Sequence, residues 1–488
     1  MQKTKHRAVY PGSLILIFVM VFTASPAVNA QTADLTSWQA NSVYVAGEQV
    51  VYAAAIFEAR WWTQGDEPGA ANSDGPWLFI ANCQSGQSGA CDPSNLGEPV
   101  EPPSGPQPNP GGGYTMLKSE LEATEATLTS SALFLEVKAS IETRANAEVE
   151  LIKAGAASNP ENVKRVEQIF PEQQWLYTFP QRHSAYSYEK FLQAIGKFKG
   201  FCASYSDGRN SDAICRKSLA TMFAHFTQET GGHDVNSPIE EWRQALVFVR
   251  EAGCHENDSS CLYNAECAPD TWQGQQWPCG TRTGGGYQKY YGRGAKQLSY
   301  NYNYGPFSQA MYGDVSVLLQ NPERVADTWL NIASAVFFYL YPASPKPSML
   351  HVIDGTWQPN SHDTGLGIKP GFGATTNIIN GGIECGHGYE KPQSLNRMAY
   401  YREHAAAMGV PVESTEELGC AGQKSFDTQG AGAMKIYWDQ DWGYYPDLPE
   451  GKSFACKLVG YQTRHFALQA GDYQKCVQHY FDVDVIDN

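Results

Sequence analysis

Residues 218–232, SLATMFAHFTQETGG, decide what kind of fold this chain can adopt. Leu219, Met222, Phe223 and Phe226 recur at the spacing of a helix with one buried face. His225 and Glu229 fall one turn apart on a neighbouring face, and Gly231 and Gly232 then end the helix. A carboxylic acid at the end of a rigid helix, beside glycines that let a ligand or backbone come close, is where a general acid would be built. A zinc reading of His225, Glu229 and His233 is weak, because the string is not HExxH and the glycines break the helix before His233. No metal and no other cofactor is expected.

Downstream, residues 290–305, YYGRGAKQLSYNYNYG, are dense in Tyr, Asn, Gln and Ser, side chains that hydrogen-bond sugar hydroxyls and amides. From about residue 163 helical stretches alternate with long Gly-, Pro- and Asn-rich loops, without a βαβ rhythm. That predicts a mainly α domain whose loops carry function, over 163–424, with 425–488 as a C-terminal extension. No GxSxG or P-loop string occurs, which speaks against a serine hydrolase or a nucleotidase.

Upstream, 115–128 and 131–154 have helical spacing, so 114–162 reads as a helical hairpin packed on that domain. Residues 92–113 are too rich in Pro and Gly to pack and read as an extended linker. Before it, 33–91 shows short alternating runs broken by Gly47 and Gly65, predicting a small all-β module of about three strands. In a regular strand Phe57, Ala59 and Trp61 would share one face and Glu58, Arg60 and Trp62 the other. One of the adjacent tryptophans must then be exposed, and a flat aromatic surface suits the apolar face of a pyranose ring. Trp38 and Trp77 fit a small core.

The first thirty residues carry Lys3, Lys5 and Arg7, an apolar run from Leu14 to Phe22, and Val28-Asn29-Ala30, the layout of a cleavable signal peptide over 1–30. A secreted, extracellular chain is expected, free of the membrane after cleavage. Twelve cysteines agree with an oxidising compartment. Short loops favour the pairs Cys83–Cys91, Cys202–Cys215, Cys254–Cys261, Cys267–Cys279, Cys385–Cys420 and Cys456–Cys476. A formal charge of −16 argues against a nucleic-acid partner, which needs clustered Lys and Arg. A neutral polymer is compatible with that charge, and a monomer is expected.

Trp38, Tyr44, Gly47, Val50, Tyr52, the string EARWWTQGDEP and Pro76-Trp77 resemble the family 5/12 carbohydrate-binding modules, which bind chitin and sometimes cellulose. The resemblance implies a binding face of Tyr44, Trp61 and Trp62. AHFTQETGG, WPCGTRTGGGYQKYYGRGAKQLSYNYNYG, SPKPS and PGFGATTNIINGGIECGHG, in this order, resemble the family 19 glycoside hydrolases, the plant and bacterial chitinases. That implies a mainly α, two-lobed, lysozyme-like catalytic domain with a cleft, which hydrolyses the β-1,4 bonds of chitin or chitooligosaccharides with inversion.

Carried over by position, Glu229 is the general acid, a role that calls for a raised pKa. Glu251 in VFVREAGC takes the place of the general base, with Glu240 and Glu241 as rivals, because 233–251 departs most from the family. Ser299 in QLSYN matches the serine that helps the base hold the attacking water. Inversion needs the carboxyls roughly 6.5 to 9.5 Å apart. Gln297, Tyr302, Asn303, Lys346, Asn380, Glu384 and Arg397 match substrate-binding positions, although Glu384 and Arg397 read equally well as a charge pair shaping the cleft. Gln228 stands where the family commonly has His. Rival readings are a lysozyme-like peptidoglycan hydrolase and a non-catalytic chitin-binding protein.

Overall fold

The computed structural model describes residues 36–45, 47–52, 55–60, 62–68, 76–82, 106–108, 113–255 and 261–487. The expected signal peptide, the pair Cys83–Cys91 and Trp61 lie outside the described residues. The chain divides into two units, the first ending at Val100 and the second starting at Glu101.

In the first unit six short strands are described: β1 (Thr36–Ser37), β2 (Val43–Tyr44), β3 (Gln49–Tyr52), β4 (Ala55–Ala59), β5 (Thr63–Gln64) and β6 (Trp77–Asn82). β1, β3, β4 and β6 form one sheet in that order, and β2 pairs with β5. Three of the six are two-residue pieces, too short to show any alternation in sequence, which is why fewer were expected. Val50 pairs with Phe57 across β3 and β4, and both are buried with Ala59 and Trp77. Trp38 packs against this core half-buried. Tyr44, expected on the binding face, is instead in the core: it is 8% exposed and its ring meets Trp77 edge-on at 5.1 Å. Trp62 is 61% exposed.

The second unit is mainly helical. Its labelled helices are α1 (Lys118–Leu128), α2 (Ala132–Ser140), α3 (Ser211–Thr230), α4 (Asn301–Tyr312), α5 (Leu330–Leu340), α6 (Phe372–Glu384), α7 (Pro392–Ala407) and α8 (Asp472–Tyr480). Its strands are β7 (Gln107–Pro108), β8 (Tyr114–Leu117), β9 (Tyr437–Gln440), β10 (Cys456–Val459) and β11 (Val483–Ile486). α3 is the central element. The Asn210 side chain caps it by accepting from the Ala213 N–H, and Asp212 complements the positive end of its dipole. Its apolar face is buried as the spacing predicts, each large side chain contributing about 1.5–3 kcal/mol. Ser218, Thr221 and Thr227 on its other faces are buried too, and α7 packs along the helix, with His404 Nε2 3.1 Å from Thr227 Oγ1. A small hydroxyl tolerates this where it can bond backwards, as Thr227 Oγ1 does to the Phe223 carbonyl at 2.9 Å.

The flanking segments differ from expectation in two places. Tyr114–Leu117 is a strand rather than the start of a helix, and Gln107–Pro108, inside the expected linker, pairs with it. β8 in turn pairs in parallel with β11 near the other end of the chain. Glu125 on α1 also accepts from the Gly471 N–H beside α8. These contacts tie the N-terminal and C-terminal segments to each other. Disulfides join Cys202–Cys215, Cys254–Cys261, Cys267–Cys279, Cys385–Cys420 and Cys456–Cys476, as short loops favour.

Candidate functional site

α3 delivers Glu229 to its C-terminal end, where Gly231 and Gly232 turn the chain away. A Cβ on Gly231 would lie 2.3 Å from the Thr227 carbonyl oxygen, and the Gly232 N–H donates to the Gln244 carbonyl at 3.0 Å. The glycines thus admit backbone rather than ligand, and pin the 244–248 segment against the helix end.

Behind Glu229 lies a buried polar network. Arg397 on α7 donates through Nη2 to Glu229 Oε1 at 2.6 Å and to Glu384 Oε1 at 2.9 Å, and through Nε to Glu384 Oε2 at 3.0 Å. Its Nη1 lies 3.1 Å from His225 Nδ1, and His225 Nε2 lies 3.0 Å from Thr375 Oγ1, which donates to the Phe372 carbonyl. With Thr375 already donating, the bonds are satisfied by a neutral His225 that accepts at Nδ1 and donates at Nε2. Burial first, then the charges of Arg397 and Lys296, push the His225 pKa well below its ordinary range, in keeping with that form. His225 is thereby turned into the network. α6 departs from helical geometry at Asn380 (φ −149°, ψ 31°), and Asn380 Nδ2 donates to Glu384 Oε1 at 2.8 Å.

Glu384 and Arg397 are 0% and 1% exposed, so they do not reach a ligand directly; the structure corrects their substrate-binding reading to that of a charge pair supporting Glu229. The Glu229 side chain itself keeps 21% of its surface open. Burial pushes its carboxyl upward. Arg397 and Lys296 outweigh burial, with the Arg397 hydrogen bond adding to them, so its pKa lies below the ordinary 4.5, opposite to the raised value expected.

The second arm is the loop 290–300. The Gly292 N–H donates to Glu251 Oε2 at 3.0 Å, the Glu251 N–H donates to the Gly292 carbonyl, and Tyr263 Oη donates to Glu251 Oε1 at 2.7 Å. The hydrogen bond to Glu251, with burial, pushes Tyr263 up to about 12. Glu240 and Glu241 are engaged elsewhere, Glu240 by Arg243 and Glu241 by Tyr400. A Cβ on Gly292 would meet Gln297 Oε1 at 2.9 Å, so glycine is needed for Gln297 to lie against it. Gln297 and Tyr300 both have left-handed backbone, φ +55° and +69°, a strain that marks many functional loops. Ser299 Oγ donates to the Gln297 carbonyl at 2.9 Å, and Asn303 Nδ2 to the Ser299 carbonyl at 2.9 Å. Tyr302, half-buried, stacks on Tyr300 with centroids 5.3 Å apart.

One residue links the two arms and was not singled out in the sequence. Lys296 follows the glycine turn directly before Gln297, and its charge acts on Glu229, Arg397 and Glu384. Its Nζ lies 4.4 Å over the Phe338 ring. No spacing rule identifies a lone lysine in a Gly-rich loop; only its neighbours in space do. Lys346 donates to the Ile378 carbonyl at 2.9 Å, and burial and the like charge of Lys296 lower its pKa. A cleft of about 1120 Å³ is lined by Tyr302, Asn303 and Lys346 but not by Glu229 or Glu251.

Residues 178–420 match the family model described as class I chitinase, and residues 37–78 match that of carbohydrate-binding module family 5/12. The chain is 39% identical over 243 residues to endochitinase 2 of Solanum tuberosum, covering 49% of this chain and 68% of that protein. It is 38% identical over 247 residues to a basic 30 kDa endochitinase of Solanum lycopersicum, covering 50% and 68%. The crystal structure of a class IV family 19 chitinase from Zea mays aligns with 24% identity over 52% of this chain and all of that one, with a TM-score of 0.36.

Proposed function

Because the chain belongs to the class I chitinases, a family of glycoside hydrolases, we propose that it is a secreted endochitinase that cleaves the β-1,4 bonds of chitin with inversion. The observation that carries this is the loop 290–300 serving both carboxylates: its Gly292 N–H holds Glu251, while Lys296 acts on Glu229. Neither carboxylate bonds to the other among the described residues, and they take different partners, as an acid and a base with separate tasks require.

In this reading Glu229 protonates the leaving glycosidic oxygen. A sugar chain over its open face excludes water and so adds to the desolvation that pushes the Glu229 carboxyl upward. Glu251 accepts one proton of the attacking water. Ser299 Oγ has its own hydrogen committed to the Gln297 carbonyl. It therefore accepts the water's other proton in a hydrogen bond, which aims the water's lone pair at the anomeric carbon. In this reading Gln297 and Asn303 pair with N-acetyl amides. Five described disulfides support export, since such bonds persist in oxidising compartments.

Glu229→Gln is the test. It is expected to abolish hydrolysis of colloidal chitin while the protein stays folded, and substantial residual activity would remove Glu229 from the acid role. With the native chain, proton NMR of the first products should show the α anomer; the β anomer would exclude inversion.

A further inference from the structure

Two titratable residues beside the acid have no task in the reaction: Glu241, bonded to Tyr400, and His233, which follows the glycines at the end of α3. The backbone of His233 is held on both sides by the buried Gln244. Its carbonyl accepts from the Gly232 N–H at 3.0 Å, and its Oε1 accepts from the Asp234 N–H at 2.9 Å. His233 itself has a left-handed φ of +49°, and its ring returns to the helix end. There Nε2 lies 3.1 Å from the Gln228 carbonyl oxygen and Nδ1 lies 3.1 Å from Tyr400 Oη. The carbonyl can only accept. Tyr400 has a single hydrogen and donates it to Glu241 Oε2 at 3.0 Å, so towards His233 it too accepts. Both ring nitrogens must then donate, and the imidazolium is the form that does so. The Gln228 carbonyl needs such a donor, because the Gly232 N–H four residues on is drawn away to Gln244.

We infer that His233 is a positioning residue for the general acid proposed above, on which reading the inference rests. Held as an imidazolium by Gln228 and Tyr400, it caps the helix end that carries Glu229 and adds its charge to those of Arg397 and Lys296. Glu241 anchors it through Tyr400. At Glu229 burial acts upward, while Arg397, Lys296 and then His233 act downward. The other charged groups around the ring are Arg397, one turn before Tyr400 on α7, and Asp234, whose carboxylate accepts the Asn236 N–H. Glu240 is paired with Arg243. A neutral cap would hold the helix end without touching the acid's titration, whereas a cation does both.

The test follows kcat/KM on a soluble chitooligosaccharide against pH in the full chain. In His233→Gln the amide still donates to a carbonyl but carries no charge. The alkaline limb should therefore move up by about half a pH unit at low salt. At high salt the shift should shrink, because the ring is exposed and its charge is screened. In His233→Lys the ammonium keeps both donors and charge, and the limb should stay where the native enzyme has it. Both variants meet the same left-handed backbone, so the difference between them reads the charge. An active enzyme whose limb is unmoved in His233→Gln, or moved as far in His233→Lys, overturns the inference and leaves the chitinase reading standing. In the native chain carrying isotope-labelled histidine, the ring signal absent from either variant should show a hydrogen on both nitrogens at the assay pH, and a bare nitrogen overturns the inference likewise. A native protein that cleaves no chitooligosaccharide overturns both.

Discussion

Glu229 stands largely buried at the end of α3, with Arg397 2.6 Å from one carboxyl oxygen and Lys296 close enough to lower its pKa. Arg397 cannot be removed cleanly, because two buried or partly buried carboxylates would lose their partner, at a cost of about 3–5 kcal/mol. Lys296 is the better probe, since its ammonium stands over a ring rather than in an ion pair. Removing one cation must raise the Glu229 pKa. Lys296→Met should therefore move the alkaline limb of the kcat/KM profile to higher pH, because the acid stays protonated further up the scale. A limb that stays in place or moves down would show that Lys296 does not act on the acid.

Among the elements, α4 shows how a local defect becomes a joint. Pro306 lies inside this helix, lacks an N–H, and so leaves the carbonyl of Tyr302, four residues earlier, without its helical donor. Gln462 of the C-terminal segment supplies one, Nε2 to the Tyr302 oxygen at 2.9 Å. Gln462→Ala should then destabilise the protein by about 1–3 kcal/mol in urea unfolding. With Pro306→Ala also present the loss should nearly vanish, since an amide at 306 can bond that carbonyl. Additive effects in this double-mutant cycle would break the proposed link. β8 makes the complementary point: its residues sit in a run with helical spacing, yet pairing with β11 draws Tyr114–Leu117 into a sheet.

For the whole molecule, the first unit carries the match to carbohydrate-binding module family 5/12 and the second the match to the class I chitinases, and we propose that the first binds chitin. Trp62, at 61% exposure, is the large exposed aromatic of the described β module that suits stacking on a sugar ring, now that Tyr44 is assigned to the core. Trp62→Ala in the full chain should reduce adsorption to insoluble chitin several-fold in a pull-down with chitin beads. Undiminished adsorption would take Trp62 off the binding face.

Much of this was legible in the chain itself. The apolar spacing of 219–226 set the central helix, the glycines its end, short cysteine loops the described disulfides, and ordered motifs the family. Those are signals carried by residues near one another, where backbone geometry turns spacing into direction. Tertiary structure alone decided the rest: that Glu384 and Arg397 are buried behind Glu229, that cations outweigh burial at Glu229, that Lys296 links the two arms of the site, and that Tyr44 fills a core. Each depends on which distant segments meet. Electrostatic energy and burial are set by neighbours in space, and no local pattern encodes those when the partners lie on separate helices and loops.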